Sequence, residues 1–244
     1  MRHFSVLVCE TFLQLARDRV FIPGLLLGMI LLAAGYFLRQ LSLESEFKVL
    51  ADIYSATLHL GVGAFALFWG IDLIAGPDKR CAITFRLVGP HSRFGYFLSR
   101  YVGLCLCLLF FALPLWGSWQ VIGAGEGASF LQEAQYFFSH CLGWFVLAAL
   151  GMSLATITSF YISIFAGFAF WFCGLVAAPI VHNVVEELSF VQRLVLTQIS
   201  LRWDLARFAL PYPHVADFSL FIYSLALIVI LMTLGCLRFR TLDF

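Results

Sequence analysis

Residues 134–185 form a run of 52 residues without an aspartate, glutamate, lysine or arginine. As one helix the run would reach nearly 80 Å at about 1.5 Å per residue, far more than the roughly 30 Å hydrocarbon core of a bilayer. As part of a soluble core it would need a charged surface elsewhere to cover it. The chain has no such surface: of its 244 residues 62% are hydrophobic and only 12% charged, where a soluble domain is about a quarter charged. The run must therefore fold back within a membrane. The polar cluster Ser153, Thr156, Thr158, Ser159 and Ser163 is the natural place for that turn. The same figures exclude a disordered chain, a coiled coil and a small disulfide scaffold.

The other charge-free runs cover 20–38, 53–71, 101–125 and 218–237. Together they predict an all-α polytopic membrane protein, a single transmembrane domain over 1–244. Its six spans are expected at about 20–38, 53–73, 99–122, 135–156, 161–182 and 218–237. An aromatic share of 17% suits lipid-facing helices with interfacial belts. With six spans, ten of the fifteen lysines and arginines fall on the side of the termini. The positive-inside rule then places both termini in the cytoplasm, in a multi-pass protein of the cytoplasmic (inner) membrane. The first span ends at Arg39 rather than at a small-residue cleavage site, so it reads as a retained helix and not a signal peptide. A net charge of +1 provides no field to attract nucleic acid.

Between and before the spans, three segments carry pattern. In residues 3–18, Phe4, Leu7, Val8, Phe12 and Leu15 share one arc at 100° per residue, which predicts an interfacial helix. In the first span, Gly24 and Gly28 make a small-x-x-x-small pair that permits close helix packing. Residues 77–94 are the most charged stretch on the terminal side. Gly76-Pro77 and Gly89-Pro90 bracket a short amphipathic helix that bears Asp78, Lys79, Arg80 and Arg86 beside Phe85 and Leu87, and Arg93 follows it. A loop that is merely solvated has no need of Phe85 or Leu87. Residues 183–216 form the longest loop on the opposite side, where short interfacial helices are expected.

Several chemistries are missing. There is no G-x-x-x-x-G-K-[ST], no H-E-x-x-H and no G-x-S-x-G. Ser153 lies at the wrong depth to meet a histidine, which argues against an intramembrane hydrolase and for turn or packing chemistry. No span carries an interior carboxylate pair or an arginine series, which argues against a proton relay or a voltage sensor. The seven cysteines include no C-x-x-C and read as small core residues. His59, His140, His182 and His214 all fall toward the outer ends of spans. They are metal-ligand candidates only if tertiary packing gathers them, because no two stand at i, i+4.

Taken in order, these features resemble the membrane-spanning permease subunit of ABC-2 type transporters, in particular the copper-processing and related export systems. The residues that carry the likeness are Glu10-Thr11-Phe12 with Arg17-Asp18-Arg19, then Leu41 to Glu44 with Lys48, Val49 and Asp52. They continue with Pro90-His91-Ser92-Arg93, Arg100 at the opening of span three, and Arg238-Phe239-Arg240 with Asp243. The chain departs from the pattern at Asp78-Lys79-Arg80, which is followed by Cys81-Ala82 where the family has Gly-Thr or Arg-Thr after a glutamate. The resemblance implies a non-catalytic subunit, mostly of exporters. It would work as a homodimer, or with a similar permease, on two separate ATPase subunits that carry ATP and Mg. This chain itself would hold no cofactor. Residues 77–94 would be the coupling segment, with Asp78, Lys79, Arg80, Phe85, Arg86, Leu87 and Arg93 in contact with the ATPase. The rival expectation is a membrane assembly or scaffold protein with no translocation path of its own.

Overall fold

The computed structural model describes residues 2–41, 52–76, 92–122, 130–185 and 218–241. Every element among them is helical. They are α1 (Arg2–Ala16), α2 (Phe21–Leu41), α3 (Asp52–Ala75), α4 (Arg93–Ile122), α5 (Phe130–Ile157), α6 (Phe160–Val185) and α7 (Phe218–Thr241). Five of these, α2, α3, α4, α5 and α7, are long and apolar enough to cross a bilayer. Their outer faces are apolar as well: Ile22, Leu27, Ile30 and Phe37 on α2, and Ile222, Val229, Ile230 and Leu234 on α7, are all more than half exposed. Water would not tolerate so continuous an apolar surface, whereas lipid requires it. The protein is a multi-pass membrane protein.

The centre of the bundle is the pair α3 and α5, which share the largest interface and are mostly buried. Two glycines set their separation. A Cβ on Gly70 would lie 2.8 Å from the carbonyl oxygen of Ala148, and one on Gly151 would lie 2.6 Å from that of Leu67. Backbone meets backbone at both points, so neither helix can retreat by turning a side chain. Without a hydrophobic drive between helices in lipid, such close approach maximises dispersion contact.

Around this pair the helices alternate in direction. The turn into α2 is held by Asp18, whose carboxylate accepts the Val20 N–H at 3.2 Å and whose carbonyl accepts that of Phe21 at 3.0 Å. Gly24 faces the ring of Phe65, and Gly28 faces Leu115 and Thr57, so both glycines of the small-residue pair meet neighbouring helices. Phe21 stacks on Trp69 at 6.0 Å, and Trp69 meets Phe111 edge-on at 6.0 Å. α5 and α6 are separated by Thr158 and Ser159 alone, inside the polar cluster. There the Thr158 and Ser163 hydroxyls lie 2.7 Å apart and the Ser159 carbonyl accepts the Ser163 N–H at 2.8 Å. α6 then leaves past Leu67, met by Gly167, toward Gly63, met by Trp171. α7 begins beside α5 at Phe138–Phe221 and ends where Gly235 meets Ser153 and Phe97.

Consequently one end of the bundle, here called the base, collects α1, the end of α3, the start of α4, the α5–α6 turn and the end of α7. A helix is present where residues 3–18 predict one, as α1, and it lies against α4: Leu7, Thr11 and Leu15 are its buried stripe, and Gly103 accommodates Thr11 and Val8. Pro114 lies within α4 on an exposed face, where it removes the intrahelical bond to the Phe110 carbonyl. The six cysteines among the described residues are all free. The expected helices within 183–216 fall almost wholly outside the described residues.

The glycine contacts predict a clear contrast. Gly151→Ala forces backbone apart and should destabilise by about 1–3 kcal/mol. Gly117→Ala, with nothing within 4 Å of its added Cβ, should change stability by less than about 1 kcal/mol. Thermal unfolding of both variants in the same detergent reads the difference.

Candidate functional site

The first two turns of α4 carry the densest polar network of the base. Arg100 is 4% exposed, roughly 10 Å along the helix from its start. Its Nε donates to the Tyr96 hydroxyl at 3.0 Å, and its Nη1 donates to Gln14 Oε1 at 2.8 Å and to Thr11 Oγ1 at 3.2 Å. The guanidinium also lies 5.0 Å from the centroid of the Tyr96 ring. Thr11 in turn donates to the carbonyl of Leu7 at 2.8 Å. A buried charge is tolerated only when it is hydrogen-bonded, and two of these acceptors, Thr11 and Gln14, come from α1, 89 and 86 residues from Arg100 in the sequence. The result is a clamp of α1 onto α4.

The same turns bind α7. Arg93, the first residue of α4, donates from Nη1 to the carbonyl of Arg240 at 2.7 Å. Phe239 is buried and stacks on Tyr96 at 6.2 Å with planes 10° apart, and it meets Phe97 at 5.5 Å. Higher up, the Ser153 hydroxyl is within bonding distance of two carbonyls, Ala149 at 2.6 Å and Leu231 at 2.8 Å. It therefore joins α5 to α7, which is a packing role. α4 thus stands at the junction of α1, α7 and, through Tyr101 donating to the Phe145 carbonyl at 3.1 Å, α5.

Of the residues expected to face an ATPase, Arg93 is described and lies at this junction. Asp78, Lys79, Arg80, Phe85, Arg86 and Leu87 lie outside the described residues. Their segment is bounded by Gly76 and Ser92 at the base, because α3 ends and α4 begins there. Thr11 and Arg100 stand in the sequence among the residues of resemblance, but Gln14 and Tyr96 were not legible as their partners. Tyr96 stands at i−4 from Arg100, a local spacing, but the bonds to Thr11 and Gln14 join helices distant in sequence, and no local signal could have found them.

The histidine candidates divide. His59 and His140 come together with ring centroids 6.1 Å apart, and both are buried. The side chain of His182 and all of His214 lie outside the described residues. His59 sits on a π-helical segment, Thr57–Val62, a wider turn that shifts the register of the carbonyls. The Trp144 indole N–H takes up the Leu58 carbonyl there at 3.1 Å. His140 stacks on Trp144 at 6.1 Å and His59 packs against Trp171 at 5.9 Å. Among the described residues no three of His, Cys, Asp or Glu come together as a metal would require. The pair is an aromatic layer that packs α3, α5 and α6 in the half of the bundle away from the base.

Compared with known proteins, the chain matches no family model and no curated protein.

The clamp makes a direct prediction. Arg100→Met removes two contacts to α1 and should destabilise by about 2–4 kcal/mol, from hydrogen bonds to a charged group worth about 1.5–3 kcal/mol each. Arg100→Lys should recover only part, because one ammonium cannot span the three acceptors that the planar fork reaches. Thermal unfolding, with limited proteolysis between α1 and α2 as a second readout, measures both.

Proposed function

We propose that this chain is the membrane-spanning permease subunit of an ATP-driven transporter of the ABC-2 type, an exporter of the cytoplasmic membrane. Six crossings with both termini in the cytoplasm fit the helix directions. α6 leaves the base and reaches the level of His59 by Trp171, and α7 starts at the far end and returns. The base would then be the cytoplasmic end, consistent with its share of the lysines and arginines. Two copies of the permease, or this chain and a similar one, would enclose the path, and two ATPase subunits would supply ATP and Mg.

The observation that carries the reading is the connectivity at the base. Residues 77–91 join α3 to α4 at the point where α4 is tied to α1 by Arg100 and to α7 by Arg93 and Phe239. A push on that short segment is therefore passed at once to α3, α4, α1 and α7, and through the close α3–α5 contact to the bundle centre. A partner shifts a conformational balance only by binding one state better than the other. An ATPase that changes shape around nucleotide would do this by gripping the basic residues with Phe85 and Leu87. A scaffold protein would have no use for a junction that ties the helices on either side of residues 77–91 to α1 and α7.

The test spares Arg93, since its side chain also holds α7. Lys79→Glu combined with Arg86→Glu should leave thermal unfolding of the purified chain unchanged. It should weaken retention of a co-purifying ATPase subunit at least tenfold, the equivalent of about 1.4 kcal/mol. Equal retention by wild type and variant, or no nucleotide-hydrolysing subunit bound to the wild type, would overturn the assignment.

A further inference from the structure

In the half of the bundle away from the base, two buried ring nitrogens are left unbonded. His59 Nε2 and Trp171 Nε1 are sealed from solvent and have no hydrogen-bond partner among the described residues. His59 is 5% exposed and Trp171 4%, and their ring centroids lie 5.9 Å apart across the contact of α3 with α6. A Cβ on Gly63 would lie 2.9 Å from Cζ2 of Trp171. Cζ2 is bonded to the carbon that carries Nε1, so the nitrogen edge of the indole lies against α3, about one turn beyond His59. Both rings thus meet on one seam. Leaving a buried polar group unbonded is costly, and more so in lipid. The segment that carries His59 is π-helical, a form that recurs at functional sites. α6 is also weakly held: it shares a far smaller interface with α3 than α5 does, and Tyr161, Phe165 and Phe172 on it are more than half exposed.

We propose that this seam is a hidden binding site for the hydroxyl group of an uncharged amphipathic molecule dissolved in the bilayer, which enters as α6 moves away from α3. The inference rests on the membrane embedding of the chain and on these two nitrogens, not on the ATPase reading. An indole N–H can only donate, whereas a neutral imidazole nitrogen donates in one tautomer and accepts in the other. A hydroxyl has one donor and two acceptor positions, so it takes the Trp171 N–H and bonds His59 Nε2 in either tautomer. A carbonyl or an ether serves only one tautomer. An ammonium group offers Trp171 no acceptor and carries a charge that lipid penalises. The apolar part of the molecule would lie along Phe168 and Phe172, whose rings flank Trp171 at 5.9 and 5.6 Å. Phe172 is 52% exposed, so this wall continues onto the outer surface of α6. The closed seam lacks the bonds that the hydroxyl supplies, and that difference is what draws the seam open.

The experiment uses the full chain in lipid nanodiscs, with its tryptophans isotope-labelled at the indole nitrogen and read by NMR. The Trp171 signal is assigned by its loss in Trp171→Phe. The probes are octanol and octane, which differ by one hydroxyl. Octanol should move the Trp171 N–H resonance downfield in a saturable way, and octane should leave it in place. His59→Phe keeps a ring in the seam and removes the nitrogen, and should weaken octanol binding about fivefold, the loss of one hydrogen bond. The comparison of the two probes on the wild type needs no variant, and it carries the test if His59→Phe fails to fold. Equal shifts from octanol and octane would sink the proposal. So would a response to octanol that does not saturate, or undiminished octanol affinity in His59→Phe. A Trp171 resonance already at its hydrogen-bonded position without a probe would overturn it too, and would assign the seam to water.

Discussion

The structure depends on the contact of two backbones. Where α3 and α5 cross, Gly70 and Gly151 bring main chain against main chain over two successive turns. Inside a bilayer the lipid tails are as apolar as the side chains, so association between helices must come from dispersion and polar contacts rather than from escape from water. Two glycines that admit a helix to within touching distance provide the first of these. The remaining helices are arranged around that axis, with α2 and α7 turned outward to lipid.

Polar contacts provide the second, and they follow one rule. Each donates a side-chain hydrogen to a carbonyl of another helix: Ser153 to Leu231, Trp144 to Leu58, Tyr101 to Phe145. A helix carbonyl keeps a spare lone pair after its intrahelical bond, so a donor can be added without breaking the ladder. The π-helical turn at Thr57–Val62 goes further, because its altered register places the Leu58 carbonyl where the Trp144 indole reaches it. Arg100 departs from that rule: a buried positive charge is held by three neutral side-chain oxygens, two from α1 and one from α4 itself. Its clamp makes α1 part of the same rigid base from which the proposed coupling segment hangs.

Much of this was legible along the chain. The charge-free runs mark five of the helices that are long and apolar enough to cross, because charge is costly in lipid wherever it falls. The polar cluster around Thr158 announced the reversal, since only a turn needs hydroxyls there. The apolar arc of residues 3–18 announced α1, although Thr11 sits in the middle of its buried stripe, where a hydropathy pattern alone would have expected an aliphatic residue. Other features were invisible. Gly70 and Gly151 are 81 positions apart, as read from the numbering, and although each ends or opens a small-x-x-x-small pair, with Ala66 and Ala155, the pairs do not name each other as partners. Nothing in either helix says that the other will approach that face. That His59 and His140 would pack against each other and against Trp144 and Trp171 was equally invisible, because the contacts join α3, α5 and α6.

What the sequence alone determined is the class of solvent: a chain with so few charges is helical and lives in lipid, because every backbone group has to be bonded within its own segment. Which faces meet was decided only by the tertiary structure. Uniformly apolar helices have no hydrophobic stripe to orient them, so their rotation about their own axes is set by shape and by a few donors. Those partners, Arg100 with Gln14, Gly151 with Leu67, Arg93 with Arg240, are joined across distances that no local pattern spans.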